Sequence, residues 1–251
     1  MKLTYKAIID KFSFVTNDNK EFTPTDILFD DRNFEIEFFI CQYGGFLNHQ
    51  RVLVSPLLID GIYLLKRHVY IDLDSKKVKS GPTTDFVVPV SEEYKGVYLK
   101  YPTHTIYPYY FGAGPDLLGL EPIELRERKE TQMKSSIEEQ NHNRAMSEVS
   151  TYAYFTKDEK RGSVSDWIID TDQWKVTSFS AEVGNFWHKD HFLVSIDSVL
   201  KISFLEKEVL IDMILDELKG RSRFYPDMDI NINEEVTRYD YYGRARDSKS
   251  I

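Results

Sequence analysis

The sequence predicts a mainly β protein built from two tandem small β-barrels with short helical turns, joined by a polar linker. Residues 12–79 and 152–219 align without a gap at a constant separation of 140 positions, which indicates an internal repeat. Within each copy, short stretches rich in aromatic and β-branched residues alternate with turn-forming residues, a pattern typical of a small sandwich or barrel. Closure into a barrel would also remove the exposed edges of so small a unit.

The first half of the unit predicts a short strand followed by a hairpin. Residues 11–16 alternate between polar and apolar types, and the polar cluster at 17–20 predicts a turn. Residues 25–29 and 34–41 predict the two strands of the hairpin. The residues between them, 30–33, are mostly Asp and Asn, which form tight turns by hydrogen bonding to their own backbone.

The second half of the unit predicts one more strand, a single helical turn and a second hairpin. Residues 51–54 predict the strand, and Ser55 followed by Pro56 predicts the start of the helical turn. The hairpin is predicted over residues 61–72, and a short helix over 75–79. The second copy keeps this order, with predicted strands at 174–179, 201–205 and 209–212 and a helical turn at 216–219.

The repeat divides the chain into three parts. We predict a first barrel-like domain at residues 1–102, a second at 148–251, and an aromatic tail with a charged linker at 103–147. Residues 103–115 are rich in Tyr, Pro and Gly, whereas residues 124–143 are polar and lack sustained apolar periodicity. The two domains are therefore expected to move independently unless their faces pack together.

Charge and composition exclude several classes of function. The net charge of −9 opposes broad binding to nucleic acid or to an anionic membrane, both of which need clustered Lys and Arg. Lys76, Lys77 and Lys79 form one small basic cluster, for which a solvated face is the favoured interpretation. The sequence contains no apolar run near the ~20 residues of a membrane-spanning helix. The expected location is therefore the cytoplasm.

The ordered blocks of both copies resemble the PRC-barrel family. The resemblance is carried by Thr25-Asp-Ile-Leu-Phe-Asp-Asp-Arg-Asn-Phe34, Arg51-Val-Leu-Val-Ser-Pro56 and Val69-Tyr-Ile-Asp-Leu73, and in the second copy by Gly162-Ser-Val-Ser-Asp-Trp-Ile-Ile-Asp170 and Glu234-Glu-Val-Thr-Arg-Tyr-Asp-Tyr-Tyr-Gly243. The chain is most similar to bacterial proteins with two such barrels in tandem. The family also includes a cytoplasmic domain of the photosynthetic reaction centre and a domain of ribosome maturation factors.

The resemblance implies a binding or assembly module, and it supplies no catalytic residues, metal or cofactor. We therefore expect a non-enzymatic protein that engages a protein partner. An adaptor for RNA or ribosome assembly remains the alternative, and a hydrolase with a site between the barrels is a distant third. A homodimer remains open.

Several residues could suggest chemistry, but for each we favour a structural interpretation. Cys41 lies in a predicted strand, where a small apolar filler is expected. His188 and His191 lie in a loop entering a strand and would point to opposite faces, which disfavours a shared metal ion. The segment 227–233 resembles the start of a calcium loop but lacks the Gly and Glu that an EF-hand requires.

The repeated carboxylates also favour a structural interpretation. Asp26 and Asp30 recur as Asp166 and Asp170, and their spacing along a strand is too wide for joint acid–base work. We expect Asp30 and Asp170 to cap turns. Ser55 is expected to cap a helical turn, because no nucleophile motif surrounds it.

Aromatic residues in predicted loops are the candidate partner-binding residues. An exposed aromatic side chain can anchor a protein partner, and the chain has five such candidates outside its predicted strands. They are Tyr107, Tyr109, Tyr110, Phe111 and Trp187. The alternative is that the aromatic tail packs back onto its own barrel.

Overall fold

The computed structural model describes residues 1–44, 50–81, 141–184 and 189–225. These residues form a mainly β protein with two seven-stranded sheets, one for each repeat. The predicted mainly β class is therefore confirmed. Within the described ranges, no hydrogen-bonded pairing joins the two outermost strands of either sheet, so closure into a barrel is not observed there.

The first repeat contains seven strands and two helices, with one 3-10 turn. The strands are β1 (Lys2–Thr4), β2 (Ser13–Thr16), β3 (Glu21–Asp30), β4 (Ile36–Tyr43), β5 (Gln50–Val54), β6 (Ile59–Tyr63) and β7 (His68–Ile71). The helices are α1 (Tyr5–Lys11) and α2 (Ser75–Lys79), and the 3-10 turn η1 is Pro56–Leu58.

The second repeat has the same elements in the same order. Its strands are β8 (Asn143–Ala145), β9 (Ala153–Phe155), β10 (Arg161–Asp170), β11 (Lys175–Gly184), β12 (Lys189–Ser195), β13 (Val199–Ser203) and β14 (Glu208–Ile211). Its helices are α3 (Met146–Val149) and α4 (Leu215–Lys219), and its 3-10 turn η2 is Ile196–Ser198. The strand order is β5-β4-β3-β2-β7-β6 in the first sheet and β12-β11-β10-β9-β14-β13 in the second.

Backbone geometry repeats as faithfully as the element order. Six non-glycine residues among those described have positive φ, and they form three pairs separated by 140 positions. Such residues are uncommon, because a side chain is strained in the left-handed region. The pairs are Asn19 with Glu159, Phe34 with Trp174, and Arg67 with Lys207. The internal repeat is therefore a structural repeat at the level of individual turns.

The two repeats exchange their first strands. β1 pairs antiparallel with β10, and β8 pairs antiparallel with β3, so each sheet contains six of its own strands and one from the other repeat. The two exchanges have the same register, since Leu3 lies opposite Ile169 and Arg144 lies opposite Phe29. This interface is reciprocal, like the isologous contact between the subunits of a twofold dimer.

The exchanged strands were not predicted from the sequence. The sequence predicts no element over residues 2–10, and β8 lies within the range 103–147 that is predicted as tail and linker. The first strands and helices of the two repeats are separated by 141 positions, one more than the rest of the repeat. They therefore fall outside the gapless alignment.

A shared apolar core joins the two repeats. The ring of Phe29 in the first repeat lies 5.7 Å from that of Trp167 in the second, and Phe39 lies 5.0 Å from Trp174. Residues of both repeats form a single core cluster that includes these aromatic rings. The described parts of the two repeats are therefore packed together, and independent motion of two separate domains is not what the structure shows.

No helix in the described ranges is both long enough and apolar enough to span a bilayer.

Candidate interaction surface

Asp26 and Asp166 each cap the first helix of the other repeat. The Asp26 carboxylate accepts a hydrogen bond from the backbone N–H of Ser147 at 3.1 Å, and Asp166 accepts one from the N–H of Lys6 at 3.1 Å. Each carboxylate also accepts from the N–H of the residue that follows it, at 2.8 Å. Carboxylates at these helix starts satisfy N–H groups that have no partner within the helix. The repeated carboxylates therefore hold the two repeats together.

The environment of the two capping carboxylates differs. Asp166 is almost completely buried, and burial raises its pKa above the ordinary value for Asp. Asp26 also accepts hydrogen bonds from the hydroxyls of Tyr5 and Ser147. In the second repeat, the position of Tyr5 is occupied by Met146, which cannot donate. The junction is thus symmetric in its backbone and asymmetric in its side chains.

A second repeated pair, Asp18 and Asp158, fixes the last helix of each repeat. The carboxylate of Asp18 accepts from the backbone N–H of Ser75 at 2.8 Å and from the hydroxyl of Thr16 at 2.7 Å. Asp158 accepts from the N–H of Leu215 at 3.0 Å in the same way. These hydrogen bonds favour the charged form and lower the pKa of both carboxyls.

The predicted capping roles of Asp30, Asp170 and Ser55 are confirmed. Asp30 accepts from the N–H of Arg32 at 2.8 Å, and Asp170 accepts from the N–H of Asp172 at 2.9 Å, so both cap their turns. The Ser55 hydroxyl accepts from the N–H of Leu57 at 3.3 Å and caps η1. These repeated polar residues are thus used for folding.

Among the described residues, no group of three or more His, Cys, Asp or Glu side chains could hold a metal ion. Cys41 is buried, as predicted, and burial raises the pKa of its thiol. His191 instead lies beside a hydroxyl, with its Nδ1 3.0 Å from the Oγ of Ser165. His188 and the calcium-loop-like segment 227–233 lie outside the described residues.

The Ser165–His191 contact has the residue types of a nucleophilic pair, but the repeat explains its hydroxyl. Ser165 lies at a β-bulge of β10 and donates to the carbonyl of Ser180. Thr25, its equivalent, lies at the same bulge of β3 and donates to the carbonyl of Ile40. Because the hydroxyl is present where no histidine accompanies it, we assign it to the bulge.

Exposed apolar side chains concentrate on one element of each repeat. We call residues 56–71 the first outer hairpin and residues 196–211 the second outer hairpin. The first exposes Leu57 (94%), Tyr63 (58%) and Leu65 (103%), and the second exposes Leu200 (64%) and Leu205. Two other large apolar residues of the described chain, Ile214 and Tyr225, are similarly exposed. Large exposed apolar patches mark interaction sites, which makes the outer hairpins the candidate interaction surface of the described chain.

The geometry of the outer hairpins holds these side chains outward. β6 and β13 each lie at one edge of their sheet, opposite the edge formed by β5 or β12, and in the described chain each pairs with only one neighbour. The Tyr63 ring packs edge-on against Tyr70 at 5.0 Å, so it is positioned while remaining exposed. Leu65 and Leu205 occupy the same position in the two hairpin turns, before the positive-φ residues Arg67 and Lys207.

The repeat contained a signal for these exposed residues. Leu57 has Asp197 as its equivalent, and Leu200 has Asp60. A position that holds Asp in one copy is expected to face water in both, because charged residues are rarely buried without a partner. The sequence prediction selected aromatic residues in the tail and loops, and it did not include these leucines.

The two outer segments carry opposite charge. Residues 50–81 contain six Lys or Arg and three Asp, giving a formal net charge of +3. The equivalent residues 190–221 contain four Lys or Arg and seven Asp or Glu, giving −3. The chain as a whole has a net charge of −9, yet residues 50–81 of the first repeat carry a net positive charge.

The five aromatic residues selected from the sequence cannot be placed on this surface. Tyr107, Tyr109, Tyr110, Phe111 and Trp187 all lie outside the described residues.

Comparisons of the chain with models of known protein families and with curated proteins find no match.

Proposed function

We propose that the chain is a non-enzymatic binding and assembly module built on two PRC-barrel-like units, and that its outer hairpins engage a protein partner. The observation that carries this proposal is the concentration of exposed Leu and Tyr residues on the outermost hairpin of each sheet. Outer strands also present unpaired backbone groups, to which another chain can add a strand.

The structural roles of the repeated polar residues favour a binding function over catalysis. Asp18, Asp26, Asp30 and Ser55, with their equivalents, are engaged in caps and turns. Several exposed residues of the outer hairpins differ between the copies, among them Leu57, whose equivalent is Asp197, and Leu200, whose equivalent is Asp60. Duplication followed by divergence at the surface is expected of a scaffold that presents two different contact sites.

Affinity capture with the full-length protein tests this proposal. We expect the wild type to retain a specific protein and the variant Leu57→Ser, Tyr63→Ser, Leu65→Ser to lose it. The matched control is Ile214→Ser with Tyr225→Ser, which changes exposed apolar residues outside the hairpins. Substituting Ser for Tyr107, Tyr109, Tyr110 and Phe111 forms a separate arm for the aromatic tail. Equal capture by the wild type and the hairpin variant would remove this surface from the proposal.

RNA binding is the second candidate, and the positive charge of residues 50–81 favours it. Lys76 and Lys77 are exposed on α2, and Lys79 lies over the ring of Tyr43 at 5.0 Å. An RNA-binding surface predicts affinity that falls steeply between about 50 and 200 mM salt. Fluorescence anisotropy with a labelled single-stranded RNA measures this, comparing Lys76→Glu, Lys77→Glu with the control Lys20→Glu, Lys160→Glu. Absence of RNA binding at low salt would exclude the candidate.

A further inference from the structure

The charge difference between the outer segments arises from reversals at equivalent exposed positions. Lys66 of the first hairpin turn has Glu206 as its equivalent in the second. Lys76 and Lys77 on α2 have Asp216 and Glu217 on α4. The two surfaces therefore share one backbone shape and carry opposite charges at the same places.

From this geometry we propose that the first outer hairpin of one molecule docks on the second outer hairpin of another copy of the chain. The inference rests on the proposed binding function and names its partner as a second copy. Each molecule carries both halves of a complementary pair, because the segments that contain the hairpins, residues 50–81 and 190–221, have formal net charges of +3 and −3. Such a head-to-tail contact is heterologous and builds a ring or an open chain of molecules.

Like-with-like contacts are disfavoured by the same charges. A contact between two first hairpins would bring the Lys66 side chains of both copies to the same interface, and a contact between two second hairpins would do the same for Glu206. Juxtaposed like charges suppress wrong partners across an interface. The two hairpins of a single molecule do not cover each other, because Leu57, Leu65 and Leu200 remain exposed.

Apolar contacts supply the affinity that exposed charges do not. A surface ion pair contributes little by itself, since solvent and salt screen it. Leu57, Tyr63 and Leu65 on one hairpin and Leu200 and Leu205 on the other provide apolar area on both sides. The charges then select which hairpins meet, and the leucines hold them together.

The outer strands differ in how well they are protected against pairing. β6 has a bulge with Asp60 between its paired residues, and β13 has the equivalent bulge with Leu200. A charge on an edge strand discourages another strand from docking, whereas an exposed Leu does not. We therefore expect β13 of the second hairpin to accept the docked partner, with the contact centred on Leu200.

Charge exchange between two variants of the full-length protein tests the proposal. Variant one is Lys66→Glu with Lys76→Glu, and variant two is Glu206→Lys with Asp216→Lys. Each variant alone has two hairpins of the same sign, so each is expected to stay monomeric in sedimentation velocity at about 0.15 M salt. An equimolar mixture is expected to assemble, because each variant then meets a hairpin of opposite sign.

Wild-type protein and a matched variant complete the experiment. The wild type is expected to assemble at about 0.15 M salt and to dissociate partly at about 1 M, where the Debye length falls to roughly 3 Å. Lys20→Glu with Lys160→Glu makes the same change of net charge as variant one at positions outside residues 56–71 and 196–211, and it should assemble like the wild type. Circular dichroism establishes that each variant is folded.

Two results would overturn the inference. One is a wild type that remains monomeric at every concentration tested, and the other is an assembling wild type whose two variants fail to assemble when mixed. If the wild type is monomeric but a different protein is captured through Leu57, Tyr63 and Leu65, the inference fails and the proposed function stands. If the hairpin variant captures the same proteins as the wild type, the proposed function fails independently.

Discussion

The guanidinium of Arg144 lies 2.6 Å from the carboxylate of Asp31, and both side chains are buried where β8 joins the first sheet. The Nδ1 of His142 lies 2.8 Å from the other oxygen of the same carboxylate. Burial raises the pKa of Asp31, and the contacts with Arg144 and His142 oppose that shift. At the equivalent junction, where β1 joins the second sheet, Leu3 and Thr171 occupy the positions of Arg144 and Asp31.

Removing one side of this ion pair should be costly. We expect Arg144→Leu to lower the free energy of unfolding by about 3–5 kcal/mol, because it leaves the Asp31 carboxylate buried without its guanidinium partner. Adding Asp31→Thr recreates the side chains of the other junction and should recover most of the loss. Urea unfolding measures both variants. A double variant as unstable as the single one would contradict this account.

The cap across the repeats should also be measurable. We expect Asp26→Ala to lower the free energy of unfolding by about 1–2 kcal/mol, a typical cost for losing a helix cap. The first residue before α3 is Ala145, which offers no side-chain acceptor, so the helix has no replacement. Asp10→Ala, at an exposed position of α1, is the matched control. Chemical denaturation of both variants would settle the point, and equal losses would argue against the cap.

Stability should fall in acid partly through Asp18. Its pKa is lowered by the hydrogen bonds from Ser75 and Thr16, so the folded state prefers the charged form. The stabilisation is present above the unfolded pKa of about 3.9 and is lost as pH falls toward the lower folded pKa. We expect Asp18→Asn to be less stable than the wild type at pH 7 and to lose less on acidification. Thermal unfolding at neutral and acidic pH measures the difference, and parallel pH profiles would refute it.

The reciprocal exchange predicts that the chain can be cut between its repeats. We expect co-expressed fragments 1–115 and 116–251 to purify as a one-to-one complex, because each sheet takes a strand from the other fragment. Each fragment alone lacks that seventh strand and part of the shared core. Size-exclusion chromatography with light scattering measures the stoichiometry. Two fragments that purify separately as stable monomers would show that the exchange is dispensable.

Turn chemistry and the strand core were predictable because they depend on nearby residues. The Asx turn at Asp30 and the cap at Ser55 follow from residues within three positions, and the structure confirms both. The exchanged strands were not, because three residues are too few to display a period of two. Their pairing partners are also far away, as Lys2 lies opposite Asp170. No local pattern reports such a partner.

The candidate surface was hidden for a different reason. Leu57 and Leu65 are apolar residues next to strands, and such residues are normally assigned to the core. Leu57 lies in η1 and Leu65 in the turn between β6 and β7, next to a strand at the sheet edge, and the sheet order that leaves this edge without a second neighbour is a property of the whole fold. The aromatic residues chosen instead, such as Tyr109 and Trp187, lie outside the described residues.

The strand exchange also means that β1 must wait for its pairing partner during synthesis on the ribosome. Lys2–Thr4 leave the ribosome long before their partners on β10, residues 168–170, which are made more than 160 residues later. At about 5–20 residues per second, that interval lasts roughly 8 to 30 seconds. During this time β1 has no completed sheet to join. Until the second repeat is made, β1 lacks its partner β10 and β3 lacks its partner β8, so slower translation lengthens the time in which these strands can pair wrongly.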